Sequence, residues 1–423
     1  MNEGNSATTG SATTGSCAED AVLVDACYGQ SLDLLRDNST PSGVIACARG
    51  DKADGRNYAS IFGRDAAICA LGMAASGEAD LIEHAVQSLR TLAAFQAPNG
   101  QIPKYVKPDV VASNPANSAA SSSQGEADFW YTGCIDATLW WLIALDIVGD
   151  LAEGLRARKE FAEPIARALA WLACQEHQRL YLLQQNEASD WADIMPRSGF
   201  VLYSNALWLT VKRRYGLANA EQTRYYFNYL FYPYDHDTTD NRRARVLVHY
   251  IRNKVEHRKV YLSFVNFSVW GEEIDVFGNI LALLSGAADN ARSREIVGAL
   301  QALNVAAPYP VKVVADPIAP DDPLWRPYMQ RHRQNYPWQY HNGGVWPFVG
   351  GFWVWLLARL GRAADAKQAL VQLARAAQLN QWEFNEWLHG ESGEPLGMAG
   401  QSWNAGMFVL AVHAVREPRR YLL

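Results

Sequence analysis

The stretch that decides the fold class is "VWPFVGGFWVWLLARL", residues 345–360. It has the length of a helix, and nearly every position is apolar, so that no face is left for water. A second stretch, "DATLWWLIALDIV" at 136–148, has the same character. Because a helix that is apolar on all sides must be covered on all sides, both are predicted to lie inside a ring of other helices.

Other helical segments carry a distinct polar face, as in "ADLIEHAVQSLRTLAAF" (79–95) and "AADAKQALVQLARAAQ" (363–378). Such amphipathic helices pack on the outside of a protein. The alternation of the two kinds predicts an all-α fold in which an inner ring of helices is wrapped by an outer ring. An open helical solenoid is the alternative, but no sequence repeat of about 34–45 residues supports it. The predicted helices lie near 20–37, 64–77, 79–96, 133–149, 161–177, 199–215, 220–231, 274–288, 291–304, 344–361, 364–379 and 400–415.

Three long loops interrupt the helical pattern. Residues 99–130 are a polar loop, 232–267 are a charged insertion in which a short hairpin is one interpretation, and 308–342 are rich in Pro, Arg and Tyr. Residues 1–19, which repeat "SATTG", are predicted to be a disordered tail. Residues 20–423 are predicted to form a single domain.

Composition narrows the classes of function. The chain has 423 residues, of which 49% are hydrophobic and 19% are charged, and its net charge is −6. This charge gives no electrostatic basis for binding nucleic acid or an anionic membrane. No apolar stretch is long enough to span a bilayer. The six cysteines are scattered without a C-x-x-C pair, which is typical of free thiols in a reducing cytosol, so a cytoplasmic location is predicted.

Acidic, amide and aromatic side chains recur where the predicted helices begin. Carboxylates and amides offer paired hydrogen-bond partners to neighbouring hydroxyls, and an indole ring stacks on the apolar face of a pyranose. If the helices form a double ring, these side chains converge at one mouth and suit a sugar. Asp65, Asp136 and Asp275 are equally compatible with ordinary helix caps. The candidate binding residues are Arg64, Asp65, Asp136, Trp191, His341, Asn342, Trp346, Gln401 and Trp403.

Several reaction types lack their sequence signals. There is no H-E-x-x-H or paired cysteine for a metal, no glycine-rich phosphate loop, and no G-x-S-x-G nucleophile. A pair of carboxyl groups remains, and glycoside hydrolysis needs two, one protonated and one ionised. Asp193 is a candidate acid, because shielding beside Trp191 would raise its pKa. Glu386, in a loop rich in Gly, His and Trp, is a candidate base.

The chain resembles the inverting glycosidases of the (α/α)6-toroid type, which include neutral and alkaline invertases, the glucosidase domain of glycogen debranching enzymes, and trehalases. "PWQYHNGGVWP" (337–347) is similar to the invertases' Y-H-N-G-G-x-W-P stretch, "DATLWWLIAL" (136–145) to their D-S-G-L-W-W segment, and "DVFGNILALLSG" (275–286) to their D-x-L-G-N run. "GRDAAICALGM" (63–73) and "YSNALWLTV" (203–211) resemble segments of debranching enzymes. The motifs occur in family order over about residues 56–415.

Two further motifs assign the carboxyl groups by resemblance. "WADIMPR" (191–197) is similar to the trehalase signature W-D-x-x-S-R with one residue inserted, which places the acid on Asp193 rather than on Asp190. "FNEWLHGESGEPLGMAGQSW" (384–403) resembles the F-x-E-x-Y…G-x-G…S-W segment that carries the base, which places the base on Glu386. The invertases have Pro-Glu-Tyr-Tyr where this chain has Asn-Glu-Trp-Leu, so the substrate stays open.

The resemblance implies an (α/α)6 toroid and an inverting, exo-acting glycoside hydrolase. The implied reaction releases a terminal glucose-type residue from an α-glucoside, either a sucrose-like disaccharide or an α-1,6-linked glucan or oligosaccharide. No metal or organic cofactor is implied, since carboxyl groups make both proton transfers. Two other functions stay open: a sugar isomerase or epimerase that uses a histidine pair (His341 and His389 are available), and a non-catalytic carbohydrate-binding toroid. The expected partner is a small carbohydrate, and a homo-oligomer is among the alternatives for the assembly.

Overall fold

The computed structural model describes residues 11–108, 127–128, 135–151, 157–235, 239–420 and 423. Each of the predicted helices is present in these ranges, and none of the described helices is long and apolar enough to cross a bilayer. The helices, in chain order, are α1 (Ser11–Asp37), α2 (Asp51–Gly55), α3 (Gly63–Ser76), α4 (Ala79–Ala94), α5 (Ile135–Leu151), α6 (Ala157–Glu160), α7 (Ala162–Gln175), α8 (Leu202–Arg214), α9 (Ala220–Phe231), α10 (Arg242–Arg252), α11 (Val276–Leu284), α12 (Asn290–Ala302), α13 (Pro347–Arg359), α14 (Ala363–Trp382) and α15 (Ser402–Arg416).

Six of these helices form a closed inner ring. Helices α3, α5, α8, α11, α13 and α15 each pack against the next, and α15 packs against α3 to close the circle. Every residue of α13 from Pro347 to Ala358 is buried, and so is every residue of α5 from Ile135 to Val148. The two stretches that are apolar on all sides therefore lie inside the molecule, as their composition requires.

The other long helices of the pattern cover this ring from outside. Helices α4, α7, α9, α12 and α14 each pack on the inner helix that precedes them, and α1 packs on α14 and α15. Helix α4 buries one stripe, which includes Leu81, Ala85 and Leu89, and exposes its opposite face. The architecture is an (α/α)6 double-ring toroid, and the predicted fold is confirmed.

The N-termini of the inner helices lie at one end of the ring, which we call the mouth. Each inner helix except α15, the last of the described helices, is followed by an outer helix that returns antiparallel, as in α3 and α4, which are joined by Gly77 and Glu78. Consecutive inner helices therefore run in the same direction, and the segments that precede them converge.

Short strands occupy several of these segments. They are β1 (Ser39–Thr40), β2 (Gly43–Val44), β3 (Ile61–Phe62), β4 (Tyr105–Val106), β5 (Ala127–Asp128), β6 (Phe200–Val201), β7 (Phe264–Asn266), β8 (Val269–Trp270), β9 (Trp387–Leu388) and β10 (Pro395–Leu396). They form the antiparallel sheets β1-β2, β3-β4-β5, β6-β7-β8 and β9-β10. Strand β3 leads directly into α3 and β6 into α8, so both strands position the first turns of inner helices.

The contact between α3 and α15 depends on two glycines. A Cβ atom built on Gly72 would lie 1.8 Å from the carbonyl oxygen of Gly406, which is far too short for two atoms that are not bonded to each other. The backbones of these helices therefore approach more closely than any side chain permits. The inner ring closes where α3 meets α15, and both helices have a glycine at this contact.

Three segments differ in detail from the sequence-based expectation. Helix α1 begins at Ser11, so the helix extends into the predicted 1–19 tail, and residues 1–10 lie outside the described residues. The 232–267 insertion contains the whole helix α10 and ends with β7, and the second strand of the β7-β8 hairpin follows just beyond the predicted segment. Most of the 99–130 loop lies outside the described residues, while the 308–342 loop is described and contains a 3₁₀ helix at Pro327–Arg333.

Candidate active site

A buried ion pair joins the first turns of three inner helices at the mouth. The guanidinium Nη1 of Arg64, on α3, lies 3.1 Å from Oδ2 of Asp136 on α5. The hydroxyl of Tyr203, on α8, donates to the same carboxylate at 2.9 Å and accepts from the indole N–H of Trp140 at 2.7 Å. Asp136 is fully buried. The ion pair therefore fixes the position of Arg64 in the mouth, and the role of Asp136 is to hold that arginine.

Asp65 lies next to this ion pair, and one of its carboxyl oxygens makes no hydrogen bond to a described residue. Its Oδ2 is 3.5 Å from the Nε of Arg64, and within the described residues neither atom makes a hydrogen bond. Burial raises the pKa of Asp65 to about 6, against the opposing pull of Arg64. A buried polar atom without a partner is unfavourable by about 1–3 kcal/mol. These two atoms are thus available to a ligand.

The segment before α8 folds into a turn around Asp190. One carboxyl oxygen of Asp190 accepts from the backbone N–H of Ala192 at 2.8 Å, and the other accepts from the amide of Gln185 at 2.9 Å. Asp190 is 1% exposed, so both of its oxygens are used within the turn. This contact pattern gives Asp190 a structural role, whereas Asp193, three residues later, is partly exposed.

Asp193 is the more open of the two predicted catalytic carboxyl groups. Its side chain is 34% exposed, and its Oδ2 lies 3.8 Å from the ammonium of Lys104. Burial raises the pKa of Asp193, and the positive charges of Lys104 and Arg64 offset part of this rise. The imidazole of His341 lies 4.0 Å away, but burial lowers its pKa well below the usual value, so this contact involves a neutral ring.

Glu386, just before β9, is held on both oxygens. The hydroxyl of Tyr58 donates to Oε1 at 2.7 Å, and the backbone N–H of Met398 donates to Oε2 at 3.0 Å. Only 4% of Glu386 is exposed. Burial raises its pKa to about 7, although both hydrogen bonds favour the ionised form. The sequence suggested a group that stays ionised, whereas this environment makes Glu386 titrate near neutral pH.

Tyr340 lies near both carboxyl groups. Burial is the largest cause that raises the pKa of Tyr340 well above its usual value. The negative charges of Glu386 and Asp193 raise this pKa further, so the hydroxyl interacts with both carboxyl groups. The hydroxyl of Tyr340 also interacts with that of Tyr58, which donates to Glu386. The two tyrosines connect the surroundings of Asp193 with Glu386.

Four predicted binding residues form an aromatic floor beneath these groups. The rings of Trp191 and His341 are 4.8 Å apart, and His341 stacks on Trp346 at 5.1 Å. Trp403 follows at 5.8 Å from Trp346 and lies 5.8 Å from the guanidinium carbon of Arg64. All four rings are buried, and the indole N–H of Trp346 donates to the carbonyl of Tyr340. Their packing makes the floor rigid.

Two predicted binding residues, Asn342 and Gln401, differ in their surroundings. The amide of Asn342 donates to the carbonyls of Ile318 and Asn335 and accepts from the N–H of Ile318, so it holds the 308–342 loop. Gln401 is fully buried, and within the described part of the chain neither end of its amide has a partner. Gln401 therefore keeps its hydrogen-bonding capacity, while that of Asn342 is used by the backbone.

Arg197 anchors the acid-bearing segment to the next inner helix. This arginine is 1% exposed and makes contacts of 3.1 Å with Glu273 and with Asp275. Asp275 also caps α11, accepting from the N–H of Gly278 at 3.0 Å. Asp275 is thus a helix cap, as one of the two sequence interpretations has it, and it also pairs with Arg197.

Sequence reasoning missed Tyr58 and Lys104, and it passed over Tyr340 for the histidine next to it. Tyr340 lies within the quoted "PWQYHNGGVWP" motif, so a signal for it existed. Tyr58 and Lys104 lie in stretches without a motif, and only the fold brings them to Glu386 and Asp193.

The structure gives the second histidine of an isomerase-type pair a local role. The Nδ1 of His389 accepts from the backbone N–H groups of Glu391 and Ser392, both at 3.3 Å, and so closes the turn between β9 and β10. Its ring is therefore used in that turn.

The C-terminal third of the chain matches a known family. Residues 272–418 match the family model for alkaline and neutral invertase. Over 150 residues the chain is 25% identical to alkaline/neutral invertase C, mitochondrial, of Arabidopsis thaliana, which covers 34% of this chain and 22% of that protein. It is 28% identical to the probable alkaline/neutral invertase D of the same plant over 150 residues, or 33% of this chain and 27% of that protein. The chain spans about a quarter of the length of these curated relatives.

Solved structures match nearly the whole fold. The GH63 mannosylglycerate hydrolase from Thermus thermophilus in complex with glucose gives a TM-score of 0.63 at 17% identity, covering 90% of this chain and 99% of that one. The same enzyme with Tris and D-glycerate gives 0.61 at 16% identity, covering 91% and 99%. These matches confirm the resemblance to the (α/α)6-toroid glycosidases. The invertase match includes Glu386 and His341 but not Asp193.

Proposed function

We propose that this protein is an inverting glycoside hydrolase in which Asp193 is the general acid and Glu386 the general base. The observation that carries the proposal is the placement of two carboxyl groups with raised pKa values around Tyr340, at the mouth of a toroid whose structural relatives include a glycosidase. The invertase match over the Glu386 segment supports the same reaction class.

Asp193 delivers a proton to the glycosidic oxygen. Burial raises its pKa and so keeps the proton on, while its partial exposure leaves room for the departing group on the solvent side. Once Asp193 has lost the proton, the ammonium of Lys104 stabilises the carboxylate left behind. Asp193 takes a new proton from solvent, and Glu386 releases one to solvent, before the next turnover.

Glu386 takes a proton from the attacking water. The hydroxyl of Tyr58 and the N–H of Met398 fix the carboxylate, so that its orientation is set before substrate arrives. An inverting base stands back from the sugar so that a water molecule fits between them, at a carboxyl separation of about 6.5–9.5 Å. A measured separation of the two carboxyl groups in this range in a sugar complex would support the assignment.

The terminal sugar is held by the polar atoms of the mouth. Arg64, Asp65 and Gln401 have buried polar atoms that make no hydrogen bond within the described residues, and these match the hydroxyls of a pyranose. Asp136 holds Arg64 in place, and the rings of Trp191, His341, Trp346 and Trp403 form the floor. Asn342 supports this arrangement by fixing its loop. Both proton transfers are made by side chains of the chain itself, so the proposal includes no cofactor.

The substrate class is a small α-glucoside. The invertase relatives suggest a sucrose-like disaccharide, the resemblance to debranching enzymes suggests an α-1,6-linked glucan, and the mannosylglycerate hydrolase suggests a sugar joined to glycerate. A screen of sucrose, isomaltose, trehalose, limit dextrin and glucosylglycerate, read as released monosaccharide, separates these cases.

The proposed location is the cytoplasm. The described cysteines Cys27, Cys47, Cys69 and Cys174 are free thiols, which suits a reducing compartment. The curated relatives include a mitochondrial form and a chloroplastic form. Imaging of a tagged full chain tests this part of the proposal.

The anomer that is released first tests the mechanism. With an α-glucoside, single displacement by water releases β-glucose, and proton NMR during early turnover detects it before mutarotation. The variant Asp193→Asn should lose much less activity on a glucosyl fluoride than on a glucoside with a poor leaving group, because fluoride needs little protonation. Initial release of α-glucose means retention and removes the general-base role from Glu386.

A further inference from the structure

A separate cavity opens on the rim of the mouth, next to the turn that carries the acid. It has a volume of about 580 Å³ and is lined by Trp171, Gln175, Gln184, Gln185, Asn186 and Glu187 among others, and we call it the rim cavity. Ile135 and Ser189 also line it, and the N–H of Ile135 donates to the carbonyl of Ser189. The next residues along the chain are Asp136 and Asp190, so the cavity lies at the same end of the toroid as the candidate active site.

The lining of the rim cavity is dominated by amide groups. The side chains of Gln175, Gln184 and Asn186 make no hydrogen bond to any described residue, and each presents a donor and an acceptor in one plane. This geometry matches two neighbouring hydroxyls of a sugar. Neither a lipid nor an aromatic ligand would use so many paired donors and acceptors.

Trp171 supplies an apolar surface beside these amides. It lies on α7, near the C-terminal end of that helix, and is half-buried, with part of its ring in the lining of the cavity. Its indole N–H has no partner among the residues that the structure describes. A ring of this kind offers a large apolar face together with one donor at its edge. Amides next to a half-buried indole face are a combination that suits a pyranose.

The charge of the rim cavity favours a neutral ligand. Glu187 is the charged residue of the described lining, and it is already engaged. The hydroxyl of Tyr328 donates to it at 2.7 Å and the Nε of Arg326 at 3.3 Å. With this charge balanced, nothing in the described lining attracts an anion or a cation.

One side chain connects the rim cavity with the acid-bearing turn. Gln185 lines the cavity, and its amide donates to Asp190 at 2.9 Å, while the other oxygen of Asp190 accepts from Ala192. The hydroxyl of Ser204 donates to the oxygen of Gln185. A ligand in the cavity therefore contacts a residue that supports the turn leading to Asp193.

We propose that the rim cavity is a second carbohydrate-binding site, which takes a neutral oligosaccharide by stacking a pyranose on Trp171 and hydrogen-bonding it to Gln175, Gln184 and Asn186. The site is distinct from the two carboxyl groups and binds without hydrolysis. It holds a glycan against the rim while the mouth engages another sugar.

The test measures binding in a protein that cannot hydrolyse the probe. Isothermal titration of the Asp193→Asn/Glu386→Gln double variant with isomaltotriose and with maltotriose is expected to show a binding event that Trp171→Ala, added to this background, weakens by roughly tenfold or abolishes, as for other buried aromatic contacts. The matched control is Trp382→Ala, which removes a half-buried tryptophan outside the cavity lining and should leave the event unchanged.

A second variant guards against loss of folding. Gln184 and Asn186 are exposed, so Gln184→Ala/Asn186→Ala should leave the melting temperature unchanged and still weaken the event severalfold. Affinity that is unchanged in both Trp171→Ala and the amide variant overturns the proposal, as does absence of any oligosaccharide binding to the double carboxyl variant. If the mouth has no sugar affinity, the proposed function fails, but the Trp171-dependent event persists.

Discussion

At the scale of single residues, Glu386 combines deep burial with two hydrogen bonds that oppose its effect. Burial favours the protonated acid, while Tyr58 and the N–H of Met398 favour the carboxylate, and the pKa that results is about 7. Such a group is half ionised at neutral pH. A small change in its surroundings therefore changes the fraction of molecules that carry an active base.

Removing the hydrogen bond from Tyr58 should move this titration upward. In an Asp193→Asn background with a glucosyl fluoride, no acid is required, and the rate of fluoride release should rise with pH through about 7 as Glu386 ionises. Adding Tyr58→Phe should shift this rise upward by about one to two pH units, because a hydrogen bond to a charged group is worth about 1.5–3 kcal/mol. The control is Tyr225→Phe, which changes an exposed tyrosine of α9 and should leave the profile unchanged. An unchanged profile in Tyr58→Phe contradicts this role.

The same raised pKa has a consequence for stability. Folded Glu386 keeps its proton up to about pH 7, whereas the unfolded chain releases it near the ordinary value of 4.5, so folding becomes less favourable as pH rises between these values. Above pH 7 the loss is constant. Glu386→Gln should therefore match the parent at pH 4 and exceed its unfolding free energy by roughly 2–3 kcal/mol at pH 8. Denaturant titrations at the two pH values measure this; equal stability at pH 8 argues against a buried charge.

The sequence was sufficient to nominate Asp193 and Glu386, because each sits in a motif with a recognisable order of residues. It was not sufficient for Lys104 and Tyr58, which act through contacts with residues far along the chain. It also could not separate Asn342 from Gln401. Both are buried amides near motif residues, and only the backbone around Asn342 shows that its hydrogen bonds are used.

At the scale of elements, apolar periodicity predicted the helices well, and charge obscured one of them. Helix α10 buries Ala244, Leu247, Val248 and Ile251, a helical spacing, and Asn241 caps its start by accepting from two backbone N–H groups. Both signals were present in the 232–267 insertion. The many arginines around them made the segment look like a charged loop, since its stripe is narrow.

The close approach of α3 and α15 gives a sharp prediction at this scale. Gly72→Ala should lower the unfolding free energy by roughly 3 kcal/mol or more, since the new methyl group meets the backbone of Gly406. Gly298→Ala is the matched control, because this helical glycine of α12 has no neighbour within 4 Å of the added carbon and the change should stabilise by about 0.5–1 kcal/mol. Denaturant midpoints compare the two. Similar effects of both variants would contradict the packing described for the inner ring.

At the scale of the whole molecule, the mouth collects acids whose charge is unfavourable to the fold. Burial raises the pKa values of Asp65 and Asp190 to about 6 and that of Glu386 to about 7. The inner ring tolerates them because arginines such as Arg64 and Arg197 lie among them in fixed positions. The stability of the toroid and the chemistry proposed for it thus make opposite demands on the same residues.

The contact of α3 with α15 also sets the moment at which a newly made chain becomes active. The ribosome releases Arg64 and Asp65 first, whereas Glu386 and α15 emerge later because they lie far downstream in the sequence. Until α15 docks beside α3, the nascent polypeptide has the arginine and aspartate of the mouth but no base. On the proposed function, an unfinished chain therefore cannot cleave the sugars of the cell that makes it, and translation itself delays hydrolysis until the circle of helices is complete.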